Sequence, residues 1–237
     1  MSNRQPKIEL ISGAKAALPL MLGAIPFAIL FGTLAPTSGL TPLATIAMSI
    51  FVFAGSAQFI VLALIVAKAP LEMILLTTFV VNLRHILYAT ALVEHVKDLP
   101  MKWRAVLAFG LTDETFANMS QRYLQRDKEY AHYFYLGSMC SFYLTWVSFT
   151  ILGVLLGTMI PDMSNWGLEF AMSVTFIGMV VPYMDSKAMI SAIIAAGFSS
   201  LIFAQLPNKL GLIISALIGV MIGLTISKLS KRQLSYE

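Results

Sequence analysis

The chain has 237 residues, 58% of them hydrophobic and only 12% charged, with a mean hydropathy of +0.80. A soluble domain carries about 25% charged residues, so the composition excludes one and indicates an all-α integral membrane protein. The net charge of +4 is modest and its basic residues stand at segment ends, which suits orientation signals in a lipid bilayer and argues against nucleic-acid binding.

No charged residue lies between Lys15 and Lys68, enough for two spans of roughly 20 residues each. Residues 1–15 read as a cytoplasmic N-terminal segment and residues 16–35 as the first span. Arg4, Lys7 and Lys15 before an apolar run resemble a signal peptide, but more membrane segments follow, so the run is read as an uncleaved span. Pro19, Gly23, Pro26 and Gly32 make it either a kinked packing helix or a helix bent around a site. A charge-free turn follows at Pro36–Pro42.

The second span, residues 43–67, would be roughly 37 Å long as one helix at about 1.5 Å per residue. The hydrocarbon core is only about 30 Å thick. Gly55 and Ser56, within Phe53-Ala54-Gly55-Ser56-Ala57-Gln58-Phe59, are placed to interrupt it. A half-helix N-terminus would offer N–H groups to an anionic substrate group. The alternative is a small-residue packing face, and Gln58 leaves the two readings even.

The third segment, residues 71–93, carries Asn82-Leu83-Arg84-His85-Ile86-Leu87-Tyr88. An arginine at mid-bilayer costs roughly 2.5–3.5 kcal/mol on insertion scales, so it needs a partner or a wet cavity. Asn82 and His85 share one helix face, and Arg84 and Tyr88 another. The fourth segment, residues 105–121, is barely long enough to span and holds Asp113 and Glu114 at its middle. Pairing Arg84 with Asp113 or Glu114 answers both costs; an interfacial helix with its acids in water is the alternative.

Arg122, Arg126 and Lys128 mark a cytoplasmic loop before a fifth span at 131–160, whose first turns carry a belt of aromatics with His132. Further spans are expected at 167–184, 188–206 and 210–227, with Pro182 kinking the sixth, and residues 229–237 form a cytoplasmic tail. The whole is one transmembrane domain over residues 16–228, with about 6–8 segments, some broken or re-entrant. The positive-inside rule places both termini in the cytoplasm. If segments 71–93 and 105–121 both re-enter, the basic 94–104 loop is cytoplasmic too. A loose echo of Met48–Gly55 in Met172–Gly178 is too weak to define a repeat.

A single cysteine, Cys140, excludes an intrachain disulfide, and no metal, phosphate-loop or cofactor motif is present. A dyad of Ser56 with His85 would be an intramembrane serine hydrolase, but that leaves Arg84, Asp113 and Glu114 without a role. A transporter for a zwitterionic amino acid uses all of them; a passive channel or a carrier of another small solute is the alternative. Arg84, or the N–H groups near Gly55 and Ser56, would take the carboxylate, and Asp113 or Glu114 the ammonium. Gln58 and Asn82 add polar contacts, and His85, Asp113 and Glu114 are candidates for proton coupling.

These motifs, with Leu111-Thr112-Asp113-Glu114-Thr115-Phe116, resemble the AzlC family, the large subunit of bacterial branched-chain amino acid exporters. Pro19, Gly23, Pro26, Phe27 and Gly32 fit the family's opening, and Gly167–Ala171 its later pattern, so the likeness runs over about residues 13–227. The resemblance implies export of leucine, isoleucine, valine and related analogues from the bacterial inner membrane, driven by proton exchange. It also implies a separately encoded small membrane partner of the AzlD type.

Overall fold

A computed structural model describes residues 5–124, 129–159, 181, 184–206 and 210–234. The expected sixth span, with Pro182 and the Gly167–Ala171 stretch, lies almost wholly outside them, as do Arg126 and Lys128. The helices are α1 (Pro6–Thr37), α2 (Pro42–Phe51), α3 (Gly55–Val66), α4 (Leu71–Asn82) and α5 (Arg84–Val96), then α6 (Met101–Phe109), α7 (Asp113–Leu124), α8 (Ala131–Met159), α9 (Lys187–Ile202) and α10 (Leu210–Leu234). Pro6–Thr37, Leu71–Val96 and Ala131–Gly157 are long and apolar enough to cross a membrane, and the chain is an all-α membrane protein.

Two compact units divide the chain, Met1–Ala63 with Thr78–Leu168 and Leu64–Thr77 with Glu169–Glu237. In the first, α1 and α8 pack so closely that backbone meets backbone. A Cβ on Gly13 would stand 1.9 Å from the Phe134 carbonyl oxygen, and one on Gly137 the same distance from that of Leu10. Further along, Gly32 would meet Thr150 O and Gly153 would meet Ile29 O, each at 2.2 Å. Small residues drive membrane helix association because they let backbones approach and gain dispersion contact where no hydrophobic effect operates. Thr33 Oγ1 donates across the same seam to Gly153 O at 3.1 Å.

Helix α1 begins at Pro6, ahead of the apolar run, because a proline in the first turn forfeits no helical hydrogen bond. It also continues through Pro19 and Pro26 as one helix. The extension brings Glu9 into the interior, where Arg122 Nε and Nη2 both donate to its Oε2 at 3.1 Å. Their side chains are only 2% and 5% exposed, and the Arg122 guanidinium also lies 5.8 Å from the Phe134 ring centre. Arg122 is therefore not a solvated loop marker, as its place in the sequence suggests, but half of a buried ion pair between the end of α7 and the start of α1.

The turn at Pro36–Pro42 forms as its breakers predict. Gly39 takes φ +103°, Leu40 N donates to Ala35 O at 3.1 Å, and Thr41 Oγ1 caps α2 by accepting from Ala44 N. The second span then splits into α2 and α3, joined to α8 by a buried polar chain. Trp146 Nε1 donates to Gln58 Oε1, Gln58 Nε2 donates to Ser49 Oγ, and Ser49 Oγ meets Thr150 Oγ1, each at 3.0 Å. In the second unit α9 and α10 also pack through small residues, with Gly219 against Ala192 and Ala196.

Two stability outcomes follow. Gly153→Leu forces α1 and α8 apart and destabilises the fold by about 3 kcal/mol, near the upper end for overpacking; the melting temperature of detergent-solubilised protein reads it. Arg122→Met removes the cation from a buried ion pair at a cost of about 3–5 kcal/mol, and adding Glu9→Leu recovers most of the lost melting temperature.

Candidate functional site

Three interruptions of helix come together in the first unit. Residues 52–54 separate α2 from α3, Leu83 separates α4 from α5, and residues 110–112 separate α6 from α7. The fourth segment is thus neither a single short span nor a continuous interfacial helix. Its halves of 9 and 12 residues rise only about 14 and 18 Å, each about half of a bilayer core.

The first interruption is built around Phe53, 4% exposed and held at φ +44°, a left-handed backbone that costs a bulky residue roughly 1–3 kcal/mol. Its ring stacks on Phe109 with centroids 6.2 Å apart and meets Tyr143 edge-on at 5.0 Å. Tyr143 Oη donates to Ile50 O at 3.1 Å, so one side chain of α8 braces the end of α2 and the break itself. Gly55, the first residue of α3, has no room for a Cβ that would not press Trp146, whose ring carbon Cη2 would be 3.0 Å away. The third interruption is held by a reciprocal cap, in which Thr115 Oγ1 accepts from Thr112 N at 2.8 Å and Thr112 Oγ1 from Thr115 N at 3.3 Å.

A cleft of about 370 Å³ lies at the junction, within the usual size range of small-ligand sites. Val52, Phe53 and Ala54 line it from the first break; Phe79, Asn82, Leu83, His85 and Ile86 from the second; Ala108, Phe109 and Leu111 from the third. The side chains that line it are apolar except for Asn82 and His85. His85 Nδ1 lies 3.0 Å from Asn82 O, while Asn82 Oδ1 is buried without a hydrogen-bond partner.

Arg84 and Asp113 do not line the cleft, although Leu83, His85 and Leu111 close to them in the chain do. Arg84 Nη1 donates to Asp113 Oδ2 in a close ion pair, and Tyr88 Oη donates to Asp113 Oδ1 at 2.6 Å. The pair is partly exposed, at 24% and 21%. Arg84 Nε is buried and unpartnered, so one edge of the guanidinium is occupied and the other has a free donor. Asp113 opens α7, where the helix dipole favours an anion, whereas Arg84 follows a one-residue irregularity at Leu83, whose backbone keeps helical angles. The carboxylate is thus the anchored member of the pair.

The remaining candidates fall as follows. Gln58 is fully buried in the Trp146–Ser49 chain and serves to tie α3 to α8 rather than to line the cleft. Ser56 Oγ is buried with no hydrogen-bond partner, so His85 does not engage it as a base. Glu114 is half-buried in the first turn of α7 beside Asp113. Among the described residues no group of His, Cys, Asp and Glu is arranged to hold a metal ion. Tyr88 was not assigned a role from sequence, although its four-residue spacing from Arg84 already placed both on one helix face.

The sequence profile of the family described as AzlC protein matches residues 19–160. The chain is 28% identical to "Inner membrane protein YgaZ" of Escherichia coli over 91% of its own length and 81% of that protein's. It is 32% identical to an "Uncharacterized membrane protein" of Archaeoglobus fulgidus, covering 89% and 92% of the two chains. "Branched-chain amino acid transport protein AzlC" of Bacillus subtilis is 25% identical, over 77% of this chain and 71% of that one. No solved structure matches. With the profile covering more than half of its 237 residues, the chain belongs to the AzlC protein family.

Proposed function

We propose that the protein exports branched-chain amino acids and related apolar analogues across the bacterial inner membrane, by exchange for protons and together with a small AzlD-type membrane subunit. Both termini lie on the cytoplasmic side in this reading. The printed name of the Bacillus subtilis relative, a branched-chain amino acid transport protein, supports the substrate class.

The observation that carries the reading is the Arg84–Asp113 pair, close in the chain to residues that line a cleft whose side chains are apolar except for Asn82 and His85. A zwitterionic amino acid brings one positive and one negative charge, so inserting it into the pair replaces one ion pair by two and leaves the site neutral. No net charge is then carried into low dielectric, where it would be costly. The substrate carboxylate takes the free edge of Arg84, where Nε has no partner. Asp113 takes the ammonium, aided by Asn82 Oδ1, also without a partner. The branched side chain sits among the rings of Phe53, Phe79 and Phe109, where extra polarity would find no hydrogen bond.

Proton exchange uses the same groups. A proton on Asp113 removes the charge that the ammonium needs, so proton and substrate exclude one another, as antiport requires. Glu114 and His85 relay that proton. Gly55 and Ser56 contribute through the N-terminal end of α3, and Gln58 through holding that half-helix in place.

The test is valine efflux from preloaded proteoliposomes under an imposed pH gradient, with and without the small subunit. Saturable, gradient-driven efflux that needs both chains is the expected result. Arg84→Gln and Asp113→Asn each lower it at least about tenfold, the scale of a lost charged hydrogen bond. The double variant leaves no stranded charge and shows the same loss in a protein of near-native melting temperature. Unchanged flux in Arg84→Gln would remove the proposed site, and no valine flux from the correctly inserted pair would remove the substrate.

A further inference from the structure

The Asp113 carboxylate is shared out. Arg84 Nη1 takes Oδ2 and Tyr88 Oη takes Oδ1, the latter at 2.6 Å, from residues one turn apart on α5. The Tyr88 ring is itself fixed. It lies flat on Phe116, with centroids 4.4 Å apart and planes 15° from parallel, and it meets the His85 ring edge-on at 6.0 Å. Phe116 stands one turn along α7 from Asp113, so the helix that carries the carboxylate also holds the ring that orients it.

We infer that Tyr88 is a positioning residue for substrate exchange, an inference that rests on reading the Arg84–Asp113 pair as the substrate site. The phenol keeps Asp113 turned so that a single oxygen engages the guanidinium. Two consequences follow. The resting pair is then held through one carboxylate oxygen, and Nε, which has no partner, is left to the substrate carboxylate. Once Arg84 has turned to the substrate, Tyr88 still holds Asp113 in place to receive the ammonium. Without the hydroxyl, the carboxylate can rotate and take Nη1 and Nη2 together in the stronger bidentate geometry. That removes one donor from the edge the substrate needs and tightens the pair it must separate.

The experiment is valine counterflow in proteoliposomes holding the complete transporter, comparing the native chain with Tyr88→Phe and Phe116→Leu. Inhibition by isovalerate, which has the carboxylate and branched chain of valine but no ammonium, is measured alongside. Tyr88→Phe is expected to raise the KM for valine about tenfold with the maximal rate within about twofold. Isovalerate inhibition weakens less than that, because it never used the positioned carboxylate. Phe116→Leu keeps the hydroxyl but loosens the ring, and gives a smaller rise in KM. A merely structural Tyr88 would instead lower the maximal rate and the melting temperature together, leaving KM and the valine-to-isovalerate ratio unchanged, and that outcome overturns the inference. If Tyr88→Phe does not fold, an unchanged KM in Phe116→Leu overturns it. Absence of valine transport by the native protein fails the transport reading itself and is distinguished by the native control.

Discussion

A guanidinium and a carboxylate, Arg84 and Asp113, sit on one another where α5 meets α7. A charge placed in a membrane segment without a partner or water is costly. Their pairing settles where α5 and α7 must meet, and therefore where the interruptions before them must lie. It is also asymmetric, since Asp113 starts a helix whose dipole supports an anion. The cation is the member with less to lose by turning elsewhere.

Such a junction needs a stiff support, because interrupted helices leave backbone groups to be satisfied one by one. The glycine seam between α1 and α8 provides it, holding two long helices at backbone contact. From α8 project the side chains that secure the breaks. Trp146 and Thr150 hold α2 and α3 through Ser49 and Gln58, and Tyr143 braces the strained Phe53. Helix α7 is held at both ends by ion pairs of opposite sense, Asp113 to Arg84 at its start and Arg122 to Glu9 at its end.

The division between what was legible and what was not follows from how each cost is incurred. Membrane character, the α2–α3 interruption, the turn at Gly39 and the need of Arg84 for an acid each follow from a local quantity: hydropathy over a window, span length against bilayer thickness, a breaker cluster, or the insertion cost of one charge. These depend on a residue and its sequence neighbours alone. The acids within the next apolar segment were Asp113 and Glu114, and nothing local could choose between them. The choice came from the Thr112–Thr115 cap, which starts α7 at Asp113 and turns that carboxylate toward α5.

Other features depend on which surfaces packing brings together. Glu9 and Arg122 are 113 positions apart, and neither looks buried until α1 is seen to begin at Pro6 and lie along α8. Gln58 reads equally as ligand or packing residue until Trp146 and Ser49 arrive to saturate it. Phe53 carries no sign of its left-handed backbone, because phenylalanine adopts it only when surrounding rings over-determine the position. Sequence alone thus determined the solvent, the helical class and the need of Arg84 for an anion, since those are set by composition and local cost. Tertiary structure alone decided which partner neutralised each charge and which polar atoms were left over, since hydrogen bonds are made at about 3 Å and that distance is reached only after packing.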